Sequence, residues 1–314
     1  FLLLVSSFLW ASNLFYATEA SSSYSSASVV SGLSYTFYNS TCPNMESIIR
    51  THLKEVFEDD IGQAAGLLRL HFHDCIVQGC DASLLLDGTA SDPGEQQAAP
   101  NLSLRAKAFE IINDLRSLLE DQCGQVVSCA DIVTVAARDS VYLAGGPDYD
   151  VPLGRRDSLN FATLKEVIAS IPSAFSNITA LLAALADFDI MEVVALSGAH
   201  TIGLAHCTSF TNRLYPIQDP TLNSSFAKDL KLTCPTITTT NTTNLDIRTP
   251  NAFDNKYYVN LVHHQGLMTT DQGLYTDLIT RAKVKSFAEN QTLFFEKFVS
   301  AIVKMGQLSV LTGT

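Results

Sequence analysis

Apolar side chains recur at helical spacing along most of the chain, which predicts a fold built mainly of helices. In the segment 43–60, for example, Met45, Ile49 and Leu53 fall on one helical face. Two shorter helical patterns lie in 163–188 and are separated at Pro172. No alternating apolar and polar run of any length is present, so the predicted class is mainly α. The other helical patterns lie in 64–83, 109–123, 129–145, 191–207, 254–266, 277–289 and 291–306.

The first 15 residues form an apolar run, FLLLVSSFLWASNLF, of signal-peptide character. Its basic start is missing, so we interpret residues 1–32 as an N-terminally incomplete signal peptide with a flexible, serine-rich end. The alternative is a membrane anchor, but about 15 residues is short for a span of about 20. The segment 33–314 is then expected to form one domain.

The net charge of −12 argues against partners that are polyanions. A nucleic-acid-binding surface needs cations to neutralise phosphates, and capture by anionic lipid needs a basic patch, so neither nucleic acid nor a membrane is expected as a partner. Seven cysteines after a secretory signal favour disulfides and an extracellular destination. Six N-x-S/T sequons point the same way: Asn39, Asn101, Asn177, Asn223, Asn241 and Asn290.

The stretch AAGLLRLHFHDCIVQGCDAS, 64–83, concentrates reactive side chains in an apolar helical context. Arg69 and His73 lie four residues apart and share a helical face, whereas His71 points roughly the opposite way. A permanent cation beside an imidazole suits a site that removes a proton from one atom and stabilises negative charge on its neighbour. The hard oxygen donors Asp74, Asp81 and Ser83 follow, and calcium prefers such ligands. Cys75 and Cys80 flank the turn between them.

A second histidine, His200, lies between Gly198 and Gly203 in a segment predicted to be an apolar helix. Small neighbours let a flat ligand approach the backbone closely. A metal-ligating histidine usually donates its other ring nitrogen to a carboxylate, and Asp271 is a candidate for that role. The alternative is an ordinary core histidine that binds no metal.

Taken together, these segments resemble the secretory plant peroxidases, the class III haem peroxidases. The resemblance covers about 33–314 and implies a mainly α, two-part helical fold with haem between a distal and a proximal half. It implies an enzyme that reduces H₂O₂ and oxidises small phenolic donors by one-electron steps, as a secreted monomer of the apoplast, cell wall or vacuole. The motifs occur in the family's order: RLHFHDC, GCDAS, VSCADI, VPLGRRD, ALSGAHTIG and TPNAFDNKYY.

The resemblance also implies roles for individual distal residues. His73 would take a proton from H₂O₂ and return it to the leaving oxygen, and Arg69 would stabilise the developing charge. Asn101 would hold the imidazole in the right tautomer, with Glu95 linked to it. Phe72 would contact the haem.

On the proximal side, His200 would be the axial ligand of haem b, and Asp271 would make it more electron-rich. Pro172 would contact the reducing substrate. The implied distal calcium ligands are Asp74, Val77, Gly79, Asp81 and Ser83. The implied proximal calcium ligands are Thr201, Asp246, Thr249, Ala252 and Asp254. The implied disulfides are Cys42–Cys123, Cys75–Cys80 and Cys207–Cys234.

The chain departs from the family pattern at a few places. The family's eighth cysteine would lie beyond residue 314, so we expect Cys129 to lack a partner here and the C-terminus to be truncated. Tyr149 stands where the family usually has tryptophan, and Ile76 replaces an aromatic residue. Ala174 replaces the second proline of the P-x-P that begins at Pro172.

Two alternatives compete with a haem enzyme. A zinc site could be built from His71, His73, Cys75 and Cys80, although helical geometry spreads these side chains around the axis. A secreted binding protein without activity would be expected to have lost Arg69, His73 or His200, and all three are present.

Overall fold

The computed structural model describes residues 28–313, so the predicted signal peptide lies almost entirely outside the described residues. Within this part of the chain, twelve α-helices are joined by loops, short 3-10 turns and one small sheet. The first four helices are α1 (Met45–Asp59), α2 (Gly62–Cys75), α3 (Ala106–Cys123) and α4 (Cys129–Leu143). The next four are α5 (Leu164–Ser170), α6 (Ile178–Ala184), α7 (Ile190–Ser197) and α8 (Ser224–Thr233). The last four are α9 (Lys256–Val262), α10 (Thr269–Thr276), α11 (Arg281–Glu289) and α12 (Gln291–Met305).

Helix α4 is the centre of the N-terminal half, where α1, α2 and α3 pack against it. Its residues from Ala130 to Val141 are all buried, so this helix is covered on every side. Ser128 caps it by accepting a hydrogen bond from the backbone N–H of Asp131. Helix α1 contributes Met45, Ile49 and Leu53 to the same core, as its spacing predicted.

In the C-terminal half, α7 packs against α12 and α9 packs against α11. Phe253, Phe294 and Phe298 lie between these elements, with the Phe253 and Phe298 ring centroids 4.8 Å apart. Aromatic edges and faces in contact stabilise such a cluster beyond the area that they bury. The mainly α class predicted from the sequence is confirmed.

The irregular segment 151–158 is tied to α4 through a buried carboxylate. Asp131 accepts hydrogen bonds from the Tyr38 hydroxyl at 2.8 Å, the Gly154 N–H at 2.8 Å and the Arg155 guanidinium at 2.7 Å. The Asp131 and Arg155 side chains are both fully buried. A buried ion pair is tolerated where further hydrogen bonds satisfy both groups, and this network fixes the segment against the core.

The helix predicted across 191–207 is wrong beyond Ser197. Helix α7 ends there, Gly198–Thr201 forms a 3-10 turn that carries His200, and Leu204–His206 is strand β1. Strand β1 pairs antiparallel with β2, Thr242–Asn244, and Gly203 between the turn and the strand has φ +103°. The segment is mostly apolar and strand β1 has only three residues, so the sequence shows no period that would separate this strand from a helix.

A second difference concerns the C-terminal helices, where the sequence pattern predicted three and the structure has four. The unpredicted helix is α10, whose first turn carries Asp271. Its composition, TTDQGLYT, has too few apolar positions to show a helical period. The structure also contains the three disulfides that the resemblance implies, and Cys129 forms none among the described residues. None of the described helices combines the length and the apolar character that crossing a bilayer requires.

Candidate active site

Arg69 and His73 lie on one face of α2, as their spacing predicted. The Arg69 Nε–H donates to His73 Nε2 at 3.1 Å, while its terminal nitrogens donate to the carbonyls of Pro100 and Ser103, both at 3.0 Å. The guanidinium is therefore held in place by the loop between α2 and α3. The result is a fixed cation beside an imidazole nitrogen.

The His73 imidazole is oriented from its other side by Asn101. The His73 Nδ1 to Asn101 Oδ1 distance is 2.6 Å, and the Asn101 amide donates to the main-chain carbonyl of Glu95 at 2.8 Å. Because an amide oxygen only accepts, Nδ1 carries the proton and Nε2 keeps its lone pair. Glu95 reaches Asn101 through its backbone, while its carboxylate accepts from the Ala162 N–H at 2.8 Å.

The electrostatics keep His73 neutral. Burial lowers the pKa of His73 to about 3, and the nearby charge of Arg69 contributes to the decrease. Burial also lowers the pKa of Arg69, which stays a cation at neutral pH. The pair therefore combines a neutral base with a charge that can stabilise an anion.

His71 has a different environment from His73. It is buried on the other side of α2, and neither of its ring nitrogens has a hydrogen-bond partner within residues 28–313. Burial, assisted by the charge of Arg155, lowers its pKa to about 3. Its ligand atom lies within 4.8 Å of the sulfurs of Cys75 and Cys80, but these are joined as a disulfide and offer no thiolate to a metal. The alternative zinc site is therefore not formed.

The second histidine site is built around Asp271. His200 Nδ1 lies 2.8 Å from Asp271 Oδ1, and the Tyr257 hydroxyl donates to the same oxygen at 2.9 Å. Burial would raise the pKa of Asp271, but the interaction with His200 and the hydrogen bonds from the Met268 N–H and the Tyr257 hydroxyl outweigh it, and the pKa is lowered. Asp271 thus remains a carboxylate, and His200 Nδ1 donates to it.

These residues fit a haem ligated by His200. Asp271 fixes Nδ1 as the protonated nitrogen, so Nε2 keeps the lone pair that a metal requires, and no described group hydrogen-bonds to it. The His200 side chain is 38% exposed while Asp271 is 3% exposed, so the imidazole is accessible to a ligand and its carboxylate partner is not. The backbone just after this turn lies against α2. A Cβ atom added to Gly203 would be 2.9 Å from the Cβ of Ala65 in that helix.

The five implied distal calcium residues lie in and after the end of α2. Asp74 Oδ1 and Ser83 Oγ are buried, and no residue in the described part of the chain forms a hydrogen bond with either atom. Burial and the negative charge of Asp81 raise the pKa of Asp74 well above its usual value. Buried oxygens without partners beside a second carboxylate fit a calcium ion, which would satisfy them. Val77 and Gly79 lie in the connecting turn, where Gly79 has φ +127°.

The implied proximal calcium residues also converge. Thr201 Oγ1 lies 3.3 Å from Asp246 Oδ2 and 3.4 Å from Asp254 Oδ1, and Thr249 Oγ1 lies 3.4 Å from Asp246 Oδ2. Ala252 belongs to the same loop, where its N–H donates to the Thr249 carbonyl. Hydroxyl and carboxylate oxygens grouped in this way fit calcium.

Pro172 follows α5 in a segment that is attached to α10. The Thr270 N–H donates to the Ala174 carbonyl at 3.2 Å, one residue before Asp271. Phe175 in this segment is 52% exposed. Phe72, the other apolar residue assigned to the site, packs edge-on to His73 with ring centroids 5.9 Å apart.

Sequence reasoning missed three residues of the site. Tyr257 binds Asp271, Asn260 donates to Asp246 Oδ1 at 2.7 Å, and the Ser103 hydroxyl accepts from Arg69 at 3.1 Å. Tyr257 stands inside the motif TPNAFDNKYY, so the motif identified the segment without revealing the contact.

Comparisons with known proteins agree with this geometry. Residues 49–290 match the family model described as Peroxidase. The chain is 57% identical to Peroxidase 12 of Arabidopsis thaliana over 316 residues, covering 100% of this chain and 88% of that protein. It is 56% identical to Cationic peroxidase SPC4 of Sorghum bicolor over 301 residues, covering 95% of this chain and 83% of that protein.

Proposed function

The chain belongs to the peroxidase family and is a haem enzyme that reduces hydrogen peroxide, and from this premise we propose that Arg69 and His73 perform its proton chemistry with small phenolic compounds as reductants. The observation that carries the proposal is the state of His73. Its pKa is about 3, Asn101 holds its proton on Nδ1, and Nε2 keeps an unprotonated lone pair that accepts a hydrogen bond from the Arg69 guanidinium.

In this proposal His73 Nε2 accepts a proton from one oxygen of H₂O₂ and donates it to the other oxygen, which leaves as water. Arg69 stabilises the negative charge that develops on the leaving oxygen. Haem, when bound through His200, supplies the iron that binds peroxide and the redox chemistry of its reduction. Two phenolic molecules then each give up one electron and one proton, which balances the reduction of one H₂O₂ to two H₂O.

Calcium ions complete the proposed cofactor set, as they do generally in this family. We assign one ion to the distal cluster around Asp74 and one to the proximal cluster around Asp246. One member of each cluster directly follows a functional histidine in the sequence. Asp74 follows His73, and Thr201 follows His200. We propose that the ions fix the backbone at these two places.

The proposed reductant surface is the segment that contains Pro172. Its Phe175 side chain is exposed, and the hydrogen bond from Thr270 to Ala174 keeps the segment beside Asp271. An aromatic and proline surface suits a flat phenolic ring.

We further propose that the protein is exported to the extracellular space or the vacuole. The three disulfides need an oxidising compartment to form and persist. Exposed sequons support the same route, whereas Asn101 is 3% exposed and bonded to His73, so we expect no glycan there.

The test replaces His73 with leucine. We expect His73→Leu to bind haem with an unchanged absorption spectrum and to react with H₂O₂ about 10²–10⁴-fold more slowly, because the proton relay is lost. Stopped-flow mixing with H₂O₂ measures this rate. The matched control is His263→Leu at the exposed end of α9, which should react at the wild-type rate. Equal rates for the two variants would remove His73 from the mechanism.

A further inference from the structure

Asp271 accepts hydrogen bonds from other residues besides His200. One of its carboxylate oxygens, Oδ1, accepts hydrogen bonds from His200 at 2.8 Å and from the Tyr257 hydroxyl at 2.9 Å, and the other, Oδ2, accepts from the Met268 N–H at 3.1 Å. Because a carboxylate has no proton to give, the phenol must be the donor. Two donors therefore share the negative charge of one oxygen.

Tyr257 is held firmly in this arrangement. Its side chain is buried at 2% exposure, and its ring meets the His200 ring edge-on with centroids 6.0 Å apart. On its other side it packs edge-on to Tyr258 at 5.0 Å. The Tyr258 hydroxyl donates to the carbonyls of Val194 and Ala195, so the neighbouring phenol is fixed by different partners.

We propose that Tyr257 is a positioning residue that limits how much charge Asp271 places on the axial imidazole, an inference that rests on the proposed role of His200. A hydrogen bond from Tyr257 withdraws electron density from Oδ1, and Oδ1 is the atom that polarises the His200 Nδ1–H bond. A less polarised imidazole is a weaker electron donor to a metal at Nε2. The hydroxyl thus sets the strength of the axial ligand without contacting the haem.

Tyr257→Phe removes this hydroxyl and keeps the ring. The negative charge of Oδ1 then falls on His200 alone, so the imidazole becomes a stronger donor. Mutating a residue that hydrogen-bonds to a metal-bound histidine typically changes metal affinity or activity by about 10- to 100-fold. We expect the ferric state to be favoured about tenfold, which is a fall of about 59 mV in the one-electron reduction potential. We also expect the iron–histidine stretching band of the ferrous protein to move to higher frequency in resonance Raman spectra.

The matched control is Tyr258→Phe, which removes the same atom from the adjacent residue. Its hydroxyl bonds two carbonyls of α7 and does not touch Asp271, so any loss of stability should leave the Raman band and the potential unchanged. In an Asp271→Asn background, Tyr257→Phe should have little further effect, because both changes act through the same carboxylate.

A second probe avoids any loss of the hydroxyl. Replacing Tyr257 with 3-fluorotyrosine makes the phenol a stronger donor with almost the same shape, so the potential should rise and the band should move to lower frequency. A band that is present but fails to shift in either variant would overturn the role of Tyr257. Absence of any iron–histidine band in the wild-type holoenzyme would instead refute the assignment of His200, and so the two failures are distinguishable.

Discussion

Asn101→Leu should slow the reaction with H₂O₂ without preventing haem binding, because it removes the acceptor that orients His73 and leaves His200 unchanged. Leucine has the same branching as asparagine, although it is larger, and it accepts no hydrogen bond. The His73 Nδ1–H, now 2.6 Å from Asn101 Oδ1 in a site where His73 is 4% exposed, would lose its acceptor.

The size of the effect follows from that burial. Leaving a buried donor without a partner costs about 1–3 kcal/mol. If this cost disfavours the tautomer that keeps Nε2 unprotonated, the rate should fall roughly five- to 150-fold. This loss should be smaller than that of His73→Leu, because the imidazole is still present.

Stopped-flow measurement of the reaction with H₂O₂ between pH 3 and 8 tests the prediction, with Asn101→Asp as the matched variant. Aspartate keeps an acceptor oxygen but adds a negative charge beside His73, which raises the pKa of His73 above about 3. Its activity should therefore be lost at a higher pH than in the wild type, as His73 becomes protonated. An Asn101→Leu variant with the wild-type rate would refute the tautomer argument.

Three further predictions concern stability. His71 and His73 have folded-state pKa values of about 3, below the unfolded value of about 6.5. The free energy of unfolding should therefore fall as the pH falls from 6.5 towards 3, by up to about 1.4 kcal/mol per histidine and pH unit. In urea unfolding, the stability of His71→Leu should depend less steeply on pH than that of the wild type. Calcium chelation should lower the melting temperature more at pH 7 than at pH 5, because the pKa of Asp74 is raised and a lower pH favours the protonated, uncharged form of this buried group; equal losses would contradict the distal assignment. Asp131→Ala should cost about 3–5 kcal/mol in urea unfolding, since it leaves the buried Arg155 without its carboxylate, and a loss below about 1 kcal/mol would show that solvent enters the network.

The distal half of the site was predictable because its geometry is local. Arg69 and His73 meet at a spacing of four residues on one helix, and helical periodicity alone gives that contact. The contact between His73 and Asn101 spans 28 residues and Glu95 lies six residues before Asn101, and the resemblance to a family supplied both links. The resemblance did not reveal that Glu95 acts through its backbone carbonyl, since any residue carries one.

The proximal half was less predictable because its contacts are long-range. His200 and Asp271 are 71 residues apart, and the helix that carries Asp271 has no apolar period to mark it. The segment around His200 was predicted as helix because its residues are mostly apolar. Tyr257 was not identified, because a tyrosine in a buried helix is usually explained by packing alone.

The distal and proximal halves of the site nevertheless share one arrangement of histidine and calcium residues. In each, a histidine is followed directly by a residue that the resemblance assigns to calcium, His73 by Asp74 and His200 by Thr201. On the proximal side α9 adds a second connection, because Tyr257 binds Asp271 while Asn260, three residues later, binds Asp246. Residues three apart on a helix lie on neighbouring faces, so a shift of α9 would disturb the partner of the histidine and the calcium cluster together. Cation binding and the orientation of the axial imidazole are therefore expected to depend on the same helix.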